Sequence, residues 1–198
     1  MGLKNTKTEE NLRKALAGES IARNKYTYFA AAARACGDKE VAAAARACGD
    51  EEVAAAFEEM AKNEMTHARF WFEQLYGKPT DTKECLMKAA HGEYEEWHGM
   101  YPEFARQARE DGLDNLAVMF EHVAAIERSH ENRFMTLLAK LSKSDPKNAT
   151  TDDHKESVVR AKKLGYRCQF CGAVGENRPD VCTVCGAIGS FDAVEYYE

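Results

Sequence analysis

Two short motifs in the chain place a carboxylate and an imidazole at a spacing that suits metal binding. Glu64 is followed three residues later by His67, and Glu127 is followed three residues later by His130. On a helix, residues three apart lie on one face, one turn from each other, so each pair can offer an oxygen and a nitrogen to one ion. A single pair is a weak signal because Glu is common on solvated helix faces. Its occurrence twice favours a metal site.

Both motifs belong to a longer pattern that occurs twice, Gly-x7-Phe-Glu-x2-Ala-x2-Glu-x2-His, beginning at Gly49 and at Gly112. Ahead of each copy a Gly-Glu pair adds a carboxylate, Glu19 in the first half and Glu93 in the second. Four helices, two with a single Glu and two with Glu-x-x-His, meet the requirement of a carboxylate-bridged di-iron or di-manganese centre. The sequence therefore predicts one dinuclear centre built from both halves.

The second half carries one carboxylate more than the first. Glu96 lies three residues after Glu93, whereas Ala22 occupies the matching position after Glu19. We expect Glu96 to face the same site as Glu93. Three further histidines fit surface or core positions better than metal ligation: His91, His98 and His122.

A second group of metal-binding side chains lies near the end of the chain. It consists of two Cys-x-x-Cys knuckles, each followed by Gly: Cys168, Cys171, Cys182 and Cys185. This pattern predicts a tetrahedral four-thiolate site. Zinc would make the site structural and a single iron would make it a one-electron carrier, and the spacing leaves that choice open. The other cysteines have no partner pattern and are interpreted as ordinary thiols: Cys36, Cys48 and Cys85.

The elements that position these residues are predicted to be helices, because residues 8–141 are rich in helix formers. Cap and turn signals place helix ends near Thr8, Cys36, Gly77, Thr82, Gly112, Asp114 and Leu141. Pro102, within the third helix, should kink that helix or interrupt its hydrogen bonding. We predict an all-α four-helix bundle over residues 1–145, a polar linker over 146–164 and a small metal-held module over 165–198.

The turn between the first two helices contains a tandem duplication of 12 residues. Residues 33–44 and 45–56 differ only at Lys39 and Glu51. The extra copy could loop out, lengthen the paired helices around a new turn, or continue the first helix directly into the second. The third arrangement would give a domain-swapped homodimer, and the high helix propensity of the repeat favours it.

Composition excludes several classes of function. The formal net charge of −6 argues against a nucleic-acid partner. No apolar run reaches the ~18 residues of a membrane span. The first residues are polar and lack the apolar stretch of a secretory signal, so we expect a cytoplasmic protein whose cysteines bind metal rather than form disulfides.

These motifs resemble the rubrerythrin family over almost the whole chain. The similar stretches are AGESIARNKYTYFA, EEMAKNEMTHARF, HGEYEEWHGMYPEFARQAREDG, VAAIERSHENRF, YRCQFCG and VCTVCGA. The resemblance implies a ferritin-like di-iron bundle followed by a rubredoxin-like domain. It also implies reduction of hydrogen peroxide to water as oxidative-stress defence, with electrons from NAD(P)H through rubredoxin or a separate reductase.

The resemblance also implies roles for particular residues. Glu64 and Glu127 would bridge two irons, and Glu96 would exchange with His67 as an iron ligand when the centre is reduced. Tyr26 and Tyr101 would hydrogen-bond ligand carboxylates. The remaining di-iron ligands would be Glu19, Glu93 and His130. The four knuckle cysteines would hold a third iron, with zinc or manganese as substitute metals, and electrons would cross a subunit boundary in a homodimer.

Two other functions fit parts of the sequence. The same bundle could serve a ferroxidase or iron-storing protein, although storage has no use for a four-cysteine electron carrier or for Glu96. A redox-inert binding protein with a structural zinc ribbon is the other alternative.

Overall fold

The computed structural model describes residues 2–35, 50–143 and 162–197. The chain divides into two compact units, Met1–Pro79 and Thr80–Glu198. Among the helices described, none has both the length and the hydropathy of a membrane span. Residues 36–49, which include Cys36, Cys48 and most of the duplication, lie outside the described residues, as does most of the expected linker.

The first unit is a pair of antiparallel helices, α1 (Lys7–Ala35) and α2 (Glu51–Tyr76). Thr6 caps α1, since its hydroxyl accepts a hydrogen bond from Glu9 N at 3.1 Å. Glu9 in turn accepts one at 2.7 Å from the N–H of Asn5, the residue that precedes the cap. The prediction of Thr8 as the cap is wrong by two residues, because Glu9 lies at the correct distance from Thr6 to complete this reciprocal arrangement.

The second unit begins with three consecutive helical segments that together replace the single predicted third helix. They are α3 (Thr82–Glu95), a π-helical turn (Glu96–Met100) and α4 (Tyr101–Glu110). The N–H of Tyr101 donates to the carbonyl oxygen of Glu96, five residues back. Pro102 follows at once in the first turn of α4 and cannot donate a main-chain hydrogen bond, so the expected interruption is confirmed as a widened turn.

A fifth helix, α5 (Asp114–Lys143), packs against α3 and α4. The turn that leads into it contains Gly112 at φ 73°, a left-handed backbone conformation that suits glycine. The other predicted ends, at Gly77, Thr82 and Asp114, agree with the structure, and α2 and α3 are each capped by an aspartate, Asp50 and Asp81.

The two helical hairpins repeat each other in detail. Four alanines of these helices are at most 2% exposed, and they occupy equivalent positions in the two halves: Ala30 and Ala54, Ala105 and Ala117. An aromatic trio adjoins them in each half. The first trio has ring-centroid separations of 5.5–6.4 Å and consists of Tyr26, Phe29 and Phe57. The second has separations of 5.7–6.2 Å and consists of Tyr101, Phe104 and Phe120.

The end of the chain forms a three-stranded antiparallel sheet in the order β2-β1-β3. Its strands are β1 (Lys162–Cys168), β2 (Val174–Gly175) and β3 (Phe191–Tyr197). Cys168 at the end of β1 pairs with Phe191 at the start of β3, which fixes the first knuckle at one end of the sheet. The predicted class of fold, an all-α ferritin-like bundle of four helices followed by a small knuckle module, is confirmed, with one helical hairpin of the bundle in each unit.

The buried alanines yield a stability prediction. Ala54→Leu and Ala117→Leu should each destabilise the protein by about 1–3 kcal/mol, because neither site has space for three more carbon atoms. Ala55→Leu, one position along α2 on an exposed residue, is the matched control and should change the free energy of unfolding much less. Urea unfolding of the three variants measures this, and equal effects at Ala54 and Ala55 would contradict the packing described.

Candidate metal centres

The first unit brings together one carboxylate from α1 and the Glu-x-x-His pair of α2. Glu19, Glu64 and His67 each offer a ligand atom within 4.8 Å of the others. His67 Nδ1 lies 2.9 Å from Glu64 Oε2 and 3.7 Å from Glu19 Oε2. The antiparallel packing of α1 on α2 therefore juxtaposes residues that are 45 positions apart in the sequence.

The second unit holds an equivalent group on α3 and α5. Glu93, Glu127 and His130 also offer ligand atoms within 4.8 Å of one another. His130 Nδ1 lies 2.6 Å from Glu127 Oε2 and 3.9 Å from Glu93 Oε2. In both groups the histidine presents the same ring nitrogen to the carboxylates. Six of the seven predicted carboxylate and histidine ligands are thus gathered into two similar clusters, one per unit.

Glu96 is the seventh predicted ligand, and it lies beside the second cluster rather than within it. Burial raises the pKa of Glu96, and the negative charge of Glu127 raises it further. The pKa of Tyr101 is also raised, chiefly by burial and next by the negative charge of Glu96. Glu96 is the first residue of the π-helical turn, so the local widening of the helix positions the extra carboxylate.

The carboxylates of the second cluster repel one another, and this repulsion raises the pKa of Glu93. Burial, a hydrogen bond with Glu127 and the charges of Glu127 and Glu96 together raise the pKa of Glu93 to about 7. In the first cluster, the pKa of Glu64 is lowered. The larger cause is a hydrogen bond with Glu19, and the next is a hydrogen bond with His67. Half-buried carboxylates in mutual contact are costly unless protons or cations balance them. Carboxylate oxygens with one imidazole per cluster are suitable ligands for iron or manganese.

Two tyrosines are expected to hydrogen-bond the ligand carboxylates. Within the described part of the chain, neither Tyr26 nor Tyr101 makes such a hydrogen bond, and both are members of the aromatic trios. Their expected role therefore stays a prediction. The three spare histidines lie outside both clusters: His91 is 3.4 Å from Glu95, His98 stacks on Tyr94, and His122 lines a cavity beside α5.

The four knuckle cysteines also converge, with all four sulfur atoms within 4.8 Å of one another. The Sγ atoms of Cys168 and Cys185 are 3.7 Å apart, as are those of Cys171 and Cys182. A tetrahedral site with metal–sulfur bonds of about 2.3 Å has edges of about 3.8 Å, so the cluster has the right size for one metal ion. Two of the cysteines, Cys168 and Cys182, are buried.

The repeat brings together further residues that the metal-binding motifs do not include. Arg34 pairs with Glu58 in the first unit, and Arg109 pairs with Glu121 in the second at 2.7 Å. These are equivalent positions in the two halves. Another unforeseen approach brings Gly172 of the first knuckle close to His130 on α5, where an added methyl group would lie 2.7 Å from Nε2. No local spacing could have indicated it, because the two residues are 42 positions apart in different elements.

Comparison with known proteins agrees with this site chemistry. A family model described as rubrerythrin matches residues 84–169. Rubrerythrin-1 of Clostridium acetobutylicum is 36% identical over 92% of this chain and 91% of its own length. The rubrerythrin of Porphyromonas gingivalis is 34% identical over 92% of this chain and 87% of its own, and that of Nitratidesulfovibrio vulgaris is 32% identical over 92% and 91%.

The fold and the clusters define a ferritin-like iron protein with a rubredoxin-like module. The chain belongs to the rubrerythrin family, as its identity with relatives over most of their length shows. It is therefore an oxidoreductase of oxidative-stress defence, whose cofactors are a di-iron centre and one iron in the four-cysteine site.

The raised pKa of Glu93 predicts a pH effect on the metal-free protein. The folded state keeps the proton up to about pH 7, whereas the ordinary value is 4.5, so protonation stabilises the fold at low pH. That stabilisation is complete below pH 4.5 and is lost as the pH rises through 7. The melting temperature of chelator-treated wild type should therefore fall more between pH 5 and pH 8 than that of Glu93→Gln. Parallel pH profiles for the two proteins would contradict a raised pKa at Glu93.

Proposed function

We propose that the protein is a di-iron peroxidase that reduces hydrogen peroxide to water in the cytoplasm. The observation that carries this proposal is the coexistence of two Glu/Glu/His clusters with a four-cysteine site in one chain. When bound, the irons of the dinuclear centre supply electrons for cleavage of the O–O bond, and the four-cysteine iron returns electrons singly. The cysteines of that site are not joined in disulfides, which suits a reducing compartment.

The carboxylates and imidazoles of both clusters are proposed as the ligands of one di-iron centre. Glu64 and Glu127 would bridge the irons, because each is the less exposed carboxylate of its cluster. Glu96 and His67 would exchange as ligands of one iron. This exchange needs a mobile side chain, and His67 is the more exposed of the two cluster histidines, at 48% against 35%.

The second cluster also places a group that can hold a proton beside the proposed metal ligands. Tyr101 keeps its phenolic proton, because burial and the charges of Glu96, Glu127 and Glu93 all raise its pKa. The pKa of about 7 at Glu93 belongs to the metal-free protein, since a bound cation would displace the proton from a ligand carboxylate. Tyr101 is therefore the better placed of the two to hold a proton in the metal-loaded protein.

Electrons are proposed to enter through the four-cysteine site from rubredoxin or a reductase linked to NAD(P)H. A ferroxidase or iron-storing function is the competing proposal for the helical clusters. It leaves the cysteine site without a purpose, whereas peroxide reduction uses both sites.

Substitution of the proposed bridging residues tests the peroxidase. Glu64→Ala and Glu127→Ala should each lower peroxide turnover by about 100-fold or more, since even residues that only support metal ligands cost about 10–100-fold when lost. Glu95→Ala removes an exposed carboxylate of α3 that lies outside the clusters and is the control. Turnover that survives in both cluster variants would refute the peroxidase. Accumulation of many irons per chain, with iron oxidation faster than peroxide reduction, would instead favour storage.

We further propose a domain-swapped homodimer, in which the first unit of each chain closes a di-iron centre with the second unit of its partner. Both hairpins expose large apolar side chains that need a protein surface to cover them, among them Ile21 and Met65 in the first unit and Met87 and Met119 in the second. The antiparallel packing of α1 against α2 within one chain contradicts the run-through helix that the repeat was expected to favour, so the exchange proposed here moves the whole first unit.

Mixing two inactive variants tests the swap. Glu64→Ala disables the first unit and Glu127→Ala disables the second. After subunit exchange, a swapped heterodimer contains one centre with both units intact, so the mixture should recover up to half of the activity per heterodimer. If each chain instead closes its own centre, every centre in the mixture contains one substituted unit, and no activity returns. Heterodimers that form by native mass spectrometry but stay inactive would therefore contradict swapping.

A further inference from the structure

Trp97 lies on the π-helical turn, directly after the extra carboxylate Glu96. Its indole N–H donates a hydrogen bond of 2.7 Å to Oε2 of Glu131 on α5. This bond is partly buried and joins two residues that are 34 positions apart in the chain. Trp97 therefore connects the backbone of the turn to the helix that carries two of the cluster residues, Glu127 and His130.

Other side chains fix the orientation of the indole ring. The guanidinium of Arg128 lies over the ring, 5.3 Å from its centroid, which is close enough for cation–π attraction. Tyr94 and His98 each meet the ring edge to face, at centroid separations of 5.4 and 5.5 Å. Arg128 and the acceptor Glu131 are three residues apart, so they lie one turn from each other on α5. One helix thus contacts the indole both on its face and at its N–H.

These contacts belong to the half of the repeat that has the extra carboxylate. Glu131 follows the second ligand histidine, and Ala68 follows the first. Arg128 follows the glutamate of the second Glu-x-x-His motif, and Met65 follows that of the first. A methyl group and a thioether supply neither the carboxylate nor the cation that Trp97 contacts. The pairing with α5 therefore accompanies the extra carboxylate and is not a general feature of the hairpin.

The backbone of the turn has limited hydrogen bonding of its own. The N–H of Tyr101 donates to the carbonyl oxygen of Glu96, and Pro102 next along the chain has no N–H to donate. A π-helical turn is also rarer and less regular than an α-helical one. A side chain of the turn that is bonded to a neighbouring helix can therefore determine where the turn lies.

We propose that Trp97 is a positioning residue for Glu96, and that its hydrogen bond to Glu131 fixes the backbone of the π-helical turn. Only the side chain of Glu96 then has to move when it exchanges with His67. This inference rests on the proposed function, in which that exchange occurs. Trp97 has no atom suited to bind metal, so it acts through its neighbour, as outer partners of metal ligands commonly do.

Backbone hydrogen exchange of the full-length protein tests the anchoring, with zinc in the four-cysteine site and no metal in the helical clusters. Trp97→Phe keeps an aromatic ring and removes the N–H donor. It should speed amide exchange of residues 97–101 by about 10-fold or more, because a hydrogen bond to a charged group contributes at least about that factor to an equilibrium constant. Glu131→Ala should have the same effect, whereas Glu131→Gln keeps an acceptor oxygen and should retain most of the protection.

Tyr94→Phe is the matched control for hydrogen exchange, because it keeps the ring that packs edge to face against Trp97. Its exchange at residues 97–101 should match that of the wild type. Unchanged exchange in Trp97→Phe would overturn the anchoring, and so would an equal increase in Tyr94→Phe.

Manganese titration tests whether the anchoring serves Glu96. Full-length protein with zinc in the four-cysteine site is titrated with Mn²⁺, and the electron paramagnetic resonance signal of the free ion gives the affinity. The thiolates keep their zinc, which they prefer to manganese. Trp97→Phe should weaken binding by about 10–100-fold, the usual cost of losing an outer partner of a ligand, and Glu96→Gln should weaken it at least as much. The double variant should bind no more weakly than Glu96→Gln alone, because Trp97 acts only through that carboxylate.

The results separate this inference from the proposed function. Losses of affinity that add in the double variant would overturn the positioning role, because Trp97 would then act independently of Glu96. Manganese binding that is unchanged in Glu96→Gln alone would instead refute the ligand role of Glu96 in the proposed function, and the positioning role would fail with it. Neither measurement involves peroxide, so a protein without peroxidase activity would still give both results.

Discussion

Mutual repulsion among partly buried carboxylates is the constraint on which the helical half of this protein depends. Each hairpin places two glutamates and a histidine within 4.8 Å of one another. Without cations such a group can reduce its charge only by holding protons, as Glu93 does with a pKa of about 7. Bound metal removes this cost, so folding, proton affinity and metal binding are coupled through the same side chains.

The internal repeat explains why the two clusters are similar and also why they differ. Glu19 and Tyr26 are seven residues apart, whereas Glu93 and Tyr101 are eight apart. The π-helical turn at Glu96–Met100 absorbs the additional residue, so Tyr101 reaches the same place in its aromatic trio that Tyr26 reaches in the other. The packing of the hairpin is therefore unchanged by the inserted residue. The turn that accommodates it begins at the extra carboxylate, Glu96.

Much of this arrangement could be predicted because the signals are local. The helix-end signal at Thr82 and the knuckle spacing of the cysteines act over a few residues, and the structure agrees with both. The first cap is Thr6 rather than the predicted Thr8, because two threonines compete there and the partner Glu9 decides between them. The close approach of Gly172 to His130 was beyond prediction, because it depends on how a left-handed turn meets a helix 42 residues away. Thiolate spacing alone likewise does not choose between zinc and iron.

The measurement that tests the central claim most directly is the visible spectrum of the purified protein through one redox cycle. A ferric four-cysteine iron is coloured, whereas zinc in the same site is colourless. If both metal sites act in one peroxide-reducing protein, the colour should bleach under anaerobic reductant and return when excess hydrogen peroxide is added. A colourless protein with zinc in the four-cysteine site, or a bleached protein whose colour does not return with peroxide, would contradict the account.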